Sequence, residues 1–173
     1  MTTLITGGAK CGKSRYAEKI LDGFAGDKIY IATMRPYGDE ALRAIERHRR
    51  LRAGKGFRTV EKYTDLDELD LPEGCGVLLE CTANLCANEM FRDEGVFDPV
   101  DKIIRGFDFL GRRAKTLVIV TNEVGSDGVA YARETADYIK YMGEINRRAA
   151  AKADRVIELV YGIPVVLKGA VIE

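Results

Sequence analysis

Residues 7–14 read Gly7, Gly8, Ala9, Lys10, Cys11, Gly12, Lys13 and Ser14. They fit the pattern G-x-x-x-x-G-K-[ST], in which backbone N–H groups cradle phosphates, the lysine reaches the β/γ oxygens and the hydroxyl holds Mg²⁺. The run follows the apolar stretch Leu4, Ile5 and precedes a helix-period segment, which is the context that chemistry requires. Such a loop needs an acidic partner at the C-terminal end of a neighbouring apolar strand, where a carboxylate faces the ligand crevice. Two residues qualify. Glu80 ends Gly76-Val-Leu-Leu-Glu, and Glu123 ends the run from Thr116, with Thr121 and Asn122 beside it. Either also reads as a solvated carboxylate at a strand exit, and the sequence leaves open which of them meets the metal beside Ser14.

His48 is the only histidine of the chain. It lies in Asp39-Glu-Ala-Leu-Arg-Ala-Ile-Glu-Arg-His-Arg-Arg-Leu-Arg-Ala-Gly, where a helical turn of about 100° per residue groups it with Ala41, Ile45 and Arg52. Arg43, Arg47 and Arg50 fall on the other side, as a solvated helix face. A lone histidine on such a helix is more often structural than catalytic, so spacing alone permits a nucleophile at His48 without requiring one.

The elements that must carry these residues alternate between apolar runs and helix-period segments, as a parallel sheet covered on both faces demands. Strands are expected at 3–6, 28–33, 57–62, 76–81, 116–123, 155–161 and 164–168, with helices near 13–22, 39–52, 84–92, 98–113 and 134–153. The last two strands are too close for a crossover helix, so they form an antiparallel hairpin at one edge. On the last helix Tyr138, Met142, Ile145, Ala149 and Ala153 make one stripe of core packing. The acidic stretch 64–76 reads as a surface connection rather than a linker. The expected fold class is therefore α/β: a P-loop NTPase (RecA-like) fold over residues 1–173 as one domain. Its sheet has about seven mostly parallel strands and an antiparallel C-terminal hairpin, with helices on both faces.

Composition narrows the partners. Twenty-seven basic residues balance twenty-seven acidic ones among 173, so the chain lacks the positive excess that non-specific nucleic-acid binding draws on. No apolar run approaches the roughly 20 residues of a membrane span, and the N-terminus has neither a basic start nor a long apolar centre. A cytoplasmic protein is expected. Cys11, Cys75, Cys81 and Cys86 form no C-x-x-C pair, which predicts thiols rather than zinc or disulfides.

The ordered set of motifs resembles the bifunctional adenosylcobinamide kinase and adenosylcobinamide-phosphate guanylyltransferase family of cobalamin assembly. The likeness rests on Leu4-Ile-Thr-Gly-Gly-Ala-Lys-Cys-Gly-Lys-Ser-Arg-Tyr-Ala-Glu, Tyr30-Ile-Ala-Thr, the His48-Arg-Arg-x-Arg run, Thr59-Val-Glu, Leu78-Leu-Glu-Cys, Thr121-Asn-Glu-Val-Gly-Ser-Asp-Gly-Val and the stretch from Gly143 to Gly169. It implies that His48 is the residue that becomes covalently guanylylated, with Lys13 as the other catalytic group. It implies nucleotide contacts from residues 7–14, from Ala32, Thr33 and Met34, from Arg49, Arg50, Leu51 and Arg52, and from Glu61 and Glu80. A carboxylate suits guanine because it accepts from N1–H and the exocyclic amine together, a role open to Glu61 or Glu80. GTP and ATP are the implied substrates with Mg²⁺, a corrinoid is the implied acceptor, and a homotrimer is the implied assembly. Two other readings stand beside it: a monofunctional P-loop kinase of another small alcohol, and a nucleotide-dependent switch or assembly ATPase.

Overall fold

In the computed structural model, residues 1–125 and 128–170 are described. The side chains of Glu40, Ala41, Ala44, His48, Leu51 and Arg52 lie outside the described residues. The elements run β1 (Thr2–Gly7), α1 (Lys13–Ile20), β2 (Lys28–Ala32), α2 (Gly38–Arg52), β3 (Phe57–Glu61), β4 (Cys75–Glu80), α3 (Thr82–Met90), β5 (Phe91–Arg92), β6 (Gly95–Val96), α4 (Val100–Arg113), β7 (Ala114–Val120), α5 (Arg133–Lys152), β8 (Arg155–Val160) and β9 (Ile163–Lys168). The main sheet has seven strands in the order β3-β2-β4-β7-β1-β8-β9. All neighbours are parallel except β8 and β9. This is the P-loop NTPase fold read from the sequence, with β7 standing between the phosphate-loop strand β1 and the Glu80 strand β4.

Strand alternation sorts the sheet into two cores. On one face Ile29, Ile31, Val77, Leu79, Leu117 and Ile119 meet the apolar stripes of α3, α4 and α5. On the other, Ile5, Tyr30, Leu78, Val118, Val120, Ile157 and Leu159 meet Ala17 and Leu21 of the α1 segment. The period of two therefore puts Glu80, two residues after Leu78, on the α1 face. The α5 stripe is buried at Met142, Ile145 and Ala149, with Ala153 following it. The β8–β9 connection is the two-residue turn Tyr161-Gly162, with φ of 51° and 83°. Positive φ at both positions matches the twist of a tight hairpin.

Three expectations need correction. The stretch 64–76 is not merely a surface connection, since Leu66 and Leu71 are buried in the core. Asp65 accepts from Lys102 and Arg92 and so pins the chain to α4 and β5, and Gly106 supplies the gap, because a Cβ there would lie 2.9 Å from Leu66 Cβ. The helix expected at 84–92 is Thr82–Met90; its last two expected residues instead pair as β5 with β6. The strand expected to reach Glu123 ends at Val120, because the Thr121 hydroxyl donates to Asn146 Oδ1 at 2.6 Å and the Asn122 carbonyl accepts from Asn146 Nδ2 at 3.1 Å. Glu123 is thereby left exposed in the following loop. Among the described residues no helix is long and apolar enough to cross a membrane.

Candidate nucleotide site

The loop between β1 and α1 wraps one ammonium. Lys13 is buried, and its Nζ donates to the carbonyls of Gly7 at 2.7 Å and Gly8 at 2.6 Å. Gly7 takes φ of 136°, and a Cβ there would sit 2.5 Å from the Leu159 carbonyl of β8. Only glycine fits that approach. Gly12, at φ 100°, precedes α1, whose first turn carries no acidic residue. The positive end of the α1 dipole thus lies beside the buried Lys13 ammonium and the loop it holds, an arrangement suited to a polyphosphate.

Beside the loop, the Ser14 hydroxyl donates to Glu80 Oε1 and the Tyr30 phenol donates to Glu80 Oε2. Because α1 packs across β7 to β4, a hydroxyl at the start of α1 reaches a carboxylate two strands away. Of the two acidic candidates, Glu80 is brought to Ser14, whereas Glu123 sits past the end of β7. Ser14 and Glu80 are hard oxygen ligands of the kind Mg²⁺ takes.

The other nucleotide-binding candidates surround this pair along the C-terminal edge of the sheet. Ala32 is level with both Glu80 and Glu61 in the strand register. Thr33 is fully buried: its hydroxyl accepts from the Cys81 N–H at 2.7 Å and donates to the Cys81 carbonyl at 2.8 Å or the Glu80 carbonyl at 3.1 Å. Its carbonyl accepts from Asn88 Nδ2 at 2.8 Å. Thr33 therefore ties β2 to the β4–α3 junction, and Met34 follows it half-buried. The Glu80–Cys81 peptide is cis. Cys81 receives Asn122 Nδ2 on its sulfur at 3.5 Å, and burial pushes its thiol pKa up, so it remains protonated near neutrality.

At the sheet edge Glu61 accepts from the Tyr63 phenol at 2.9 Å and from Arg49. The Tyr63 hydrogen bond and then the Arg49 guanidinium hold the Glu61 carboxyl below its ordinary range. Arg35 lies 6.0 Å from the Tyr63 ring centre. Arg50 turns back to Glu46 on an exposed face, as its position on the helix predicts. None of the described side chains of α2 is buried; among them Arg49 reaches Glu61, and just beyond the helix end Lys55 reaches the buried Glu18 of α1. His48 belongs to this helix. Its side chain and those of Leu51 and Arg52 lie outside the described residues.

Sequence reasoning missed Tyr30 and Asn146. Each carried a signal: a phenol inside an apolar strand must find a partner, and an amide next to the α5 stripe must do the same. All four cysteines are free.

A family model described as cobinamide kinase / cobinamide phosphate guanyltransferase matches residues 3–167. The chain is 36% identical over 183 aligned positions to the bifunctional adenosylcobalamin biosynthesis protein CobU of Escherichia coli K12, covering 97% of this chain and 100% of that one. The CobU protein of Salmonella typhimurium LT2 matches at the same identity and coverage. The bifunctional adenosylcobalamin biosynthesis protein CobP of Pseudomonas aeruginosa is 29% identical, with 98% of each chain covered.

Proposed function

We propose, because this chain belongs to the cobinamide kinase / cobinamide phosphate guanyltransferase family, that one phosphate loop serves two transfers and that His48 carries the nucleotide in the second. The enzyme is an adenosylcobinamide kinase and adenosylcobinamide-phosphate guanylyltransferase of cobalamin biosynthesis. In the first reaction a nucleoside triphosphate gives its γ-phosphate to the hydroxyl of the aminopropanol arm of adenosylcobinamide. In the second, an imidazole nitrogen of His48 attacks the α-phosphorus of GTP, the bond to the β-phosphate oxygen breaks, and pyrophosphate leaves as the ring gives up its N–H proton to solvent. The phosphate oxygen of adenosylcobinamide phosphate then attacks the same phosphorus, the P–N bond breaks as the ring takes a proton back from solvent, and adenosylcobinamide-GDP and free His48 result.

The observation that carries this reading is the meeting of Ser14 with Glu80 beside the cradle around Lys13. Lys13 and the loop amides offset the polyphosphate charge, where most phosphoryl-transfer catalysis originates. Ser14 and Glu80 would hold Mg²⁺, which when bound neutralises further charge on the phosphates. Glu80 lies with Ser14, and the carboxylate of Glu61, held by Arg49 and Tyr63 on the exposed edge of the sheet, is the one we assign to guanine. The family resemblance assigns Arg49 to Arg52 to the nucleotide, for which Arg49 would leave Glu61 and Arg50 would leave Glu46. A neutral imidazole, with an ordinary pKa of about 6.5, is a competent nucleophile near pH 7. The work is that of a cytoplasmic enzyme on small molecules, without nucleic acid. The homotrimer that the family resemblance implies would need an apolar contact surface, and the exposed Ile163, Val165 and Leu167 of the edge strand β9 offer one.

Incubation with adenosylcobinamide and ATP should yield the phosphate ester, and added GTP should convert it to the GDP derivative, both read by chromatography. Phosphorylation without any GDP derivative would leave a monofunctional kinase. Nucleotide hydrolysis with neither product would remove both assignments.

A further inference from the structure

We infer that Tyr30 is a positioning residue for the Ser14–Glu80 pair: its buried phenol occupies one carboxylate oxygen of Glu80 and so aims the other at Ser14. The inference rests on the reading that Glu80 serves the metal. Tyr30 is 3% exposed in the middle of β2. In the register Tyr30 lies opposite Leu78, and Ala32 lies opposite Glu80. The period of two puts Tyr30 and Glu80 on the same face of adjacent strands, with the phenol one step below the carboxylate. The ring is fixed edge-on against Phe57, with centres 6.4 Å apart and planes at 80°, and it packs in the α1-side core. A hydroxyl on so confined a ring has little freedom to turn elsewhere.

The consequence is geometric. Tyr30 donates to Oε2 from the sheet side, while Ser14 donates to Oε1 from the loop side. A glutamate at a strand end has three rotatable bonds, and a second donor anchored in the core removes much of that freedom before any ligand arrives. A hydrogen bond to an ionised acceptor is also stronger than a neutral one. The tyrosine touches neither nucleotide nor acceptor in this account; it acts through Glu80.

The test compares Tyr30→Phe, Glu80→Gln and the double variant, with Mn²⁺ as the metal probe. Mn²⁺ retention in the GTP complex is read by electron paramagnetic resonance, and GTP affinity is measured in chelator. Tyr30→Phe keeps the ring packing and removes one oxygen, and thermal melts of the same samples report folding. The expected result is a loss of Mn²⁺ affinity of about five- to tenfold in Tyr30→Phe. GTP affinity without divalent metal should stay within about twofold, and Tyr30→Phe should add little to the loss in Glu80→Gln. Wild-type Mn²⁺ retention in Tyr30→Phe beside weakened retention in Glu80→Gln would overturn the role of Tyr30 alone. So would fully additive losses. Wild-type retention in Glu80→Gln would instead overturn the metal reading of Glu80, and this inference with it.

Discussion

Thr33→Val replaces a hydroxyl by a methyl of the same shape at a fully buried site. The hydroxyl accepts from the Cys81 N–H at 2.7 Å, and its single proton serves one of two nearby carbonyls, Cys81 at 2.8 Å or Glu80 at 3.1 Å. The Glu80 carbonyl keeps the Thr33 N–H at 3.0 Å in either case. What the substitution strands is the Cys81 N–H, a buried unpaired donor worth about 1–3 kcal/mol. The added methyl returns about 0.8 kcal/mol at most. A net destabilisation of about 1–2 kcal/mol follows, which in a chain of this size lowers the melting temperature by about 2–8 °C. Thr33→Ser keeps the donor and acceptor and should recover most of that loss. Thermal and urea unfolding without nucleotide measure the difference, with GTP affinity measured alongside. A Thr33→Val protein as stable as wild type but deficient in GTP binding would refute the reasoning, because the hydroxyl would then be facing the ligand rather than tying β2 to the β4–α3 junction.

Lys13→Ala should lower both half-reactions by at least about a hundredfold, as loss of one positioned charge at a transition state does; steady-state rates with ATP and with GTP check it, and near-normal guanylylation would show that GTP binds elsewhere. Asp65 gives a pH dependence: burial pushes its carboxyl up, but Lys102, Thr64 and Arg92 outweigh that and hold it well below the ordinary range. The stability it contributes is present above its unfolded pKa of about 3.9 and is lost as pH falls below that value toward the depressed folded one. Urea titrations should show Asp65→Asn less stable at neutral pH and less sensitive to acid below about pH 4. Leu66→Ala should cost about 2–5 kcal/mol in the same titrations, as a core leucine does; a loss under about 0.5 kcal/mol would return residues 64–76 to the surface.

The fold was legible because its signals are periodic. Apolar runs such as Leu4-Ile5, Lys28–Ala32 and Cys75–Glu80 alternating with helix-period segments, the helix stripe ending at Ala153, and a gap too short for a crossover after Val160 were enough for a seven-stranded sheet with one antiparallel edge. The phosphate loop was legible because its glycines and Lys13 serve backbone geometry and charge that few other sequences need. What was not legible is tertiary. Leu66 and Leu71 sit in a stretch dominated by acid and turn residues, and only Gly106, forty positions on, shows that Leu66 has a place to go. Glu80 and Glu123 look alike at their strand ends, and Asn146, on a different helix, is what stops β7 before Glu123. Tyr30 looked like one more apolar residue of a buried strand until its register beside Glu80 was fixed by β4.

The central claim is that this chain passes GMP through His48, and the mass of the intact protein after incubation with GTP and Mg²⁺ tests it most directly. The account predicts a GMP adduct on the wild-type protein that is labile to acid and stable to base, as a phosphoramidate is. His48→Asn should carry no adduct and make no adenosylcobinamide-GDP, while phosphorylation of adenosylcobinamide persists within roughly an order of magnitude of wild type. A wild-type protein that never gains the mass of GMP while turning over both substrates, or a His48→Asn protein that gains it, would contradict the account.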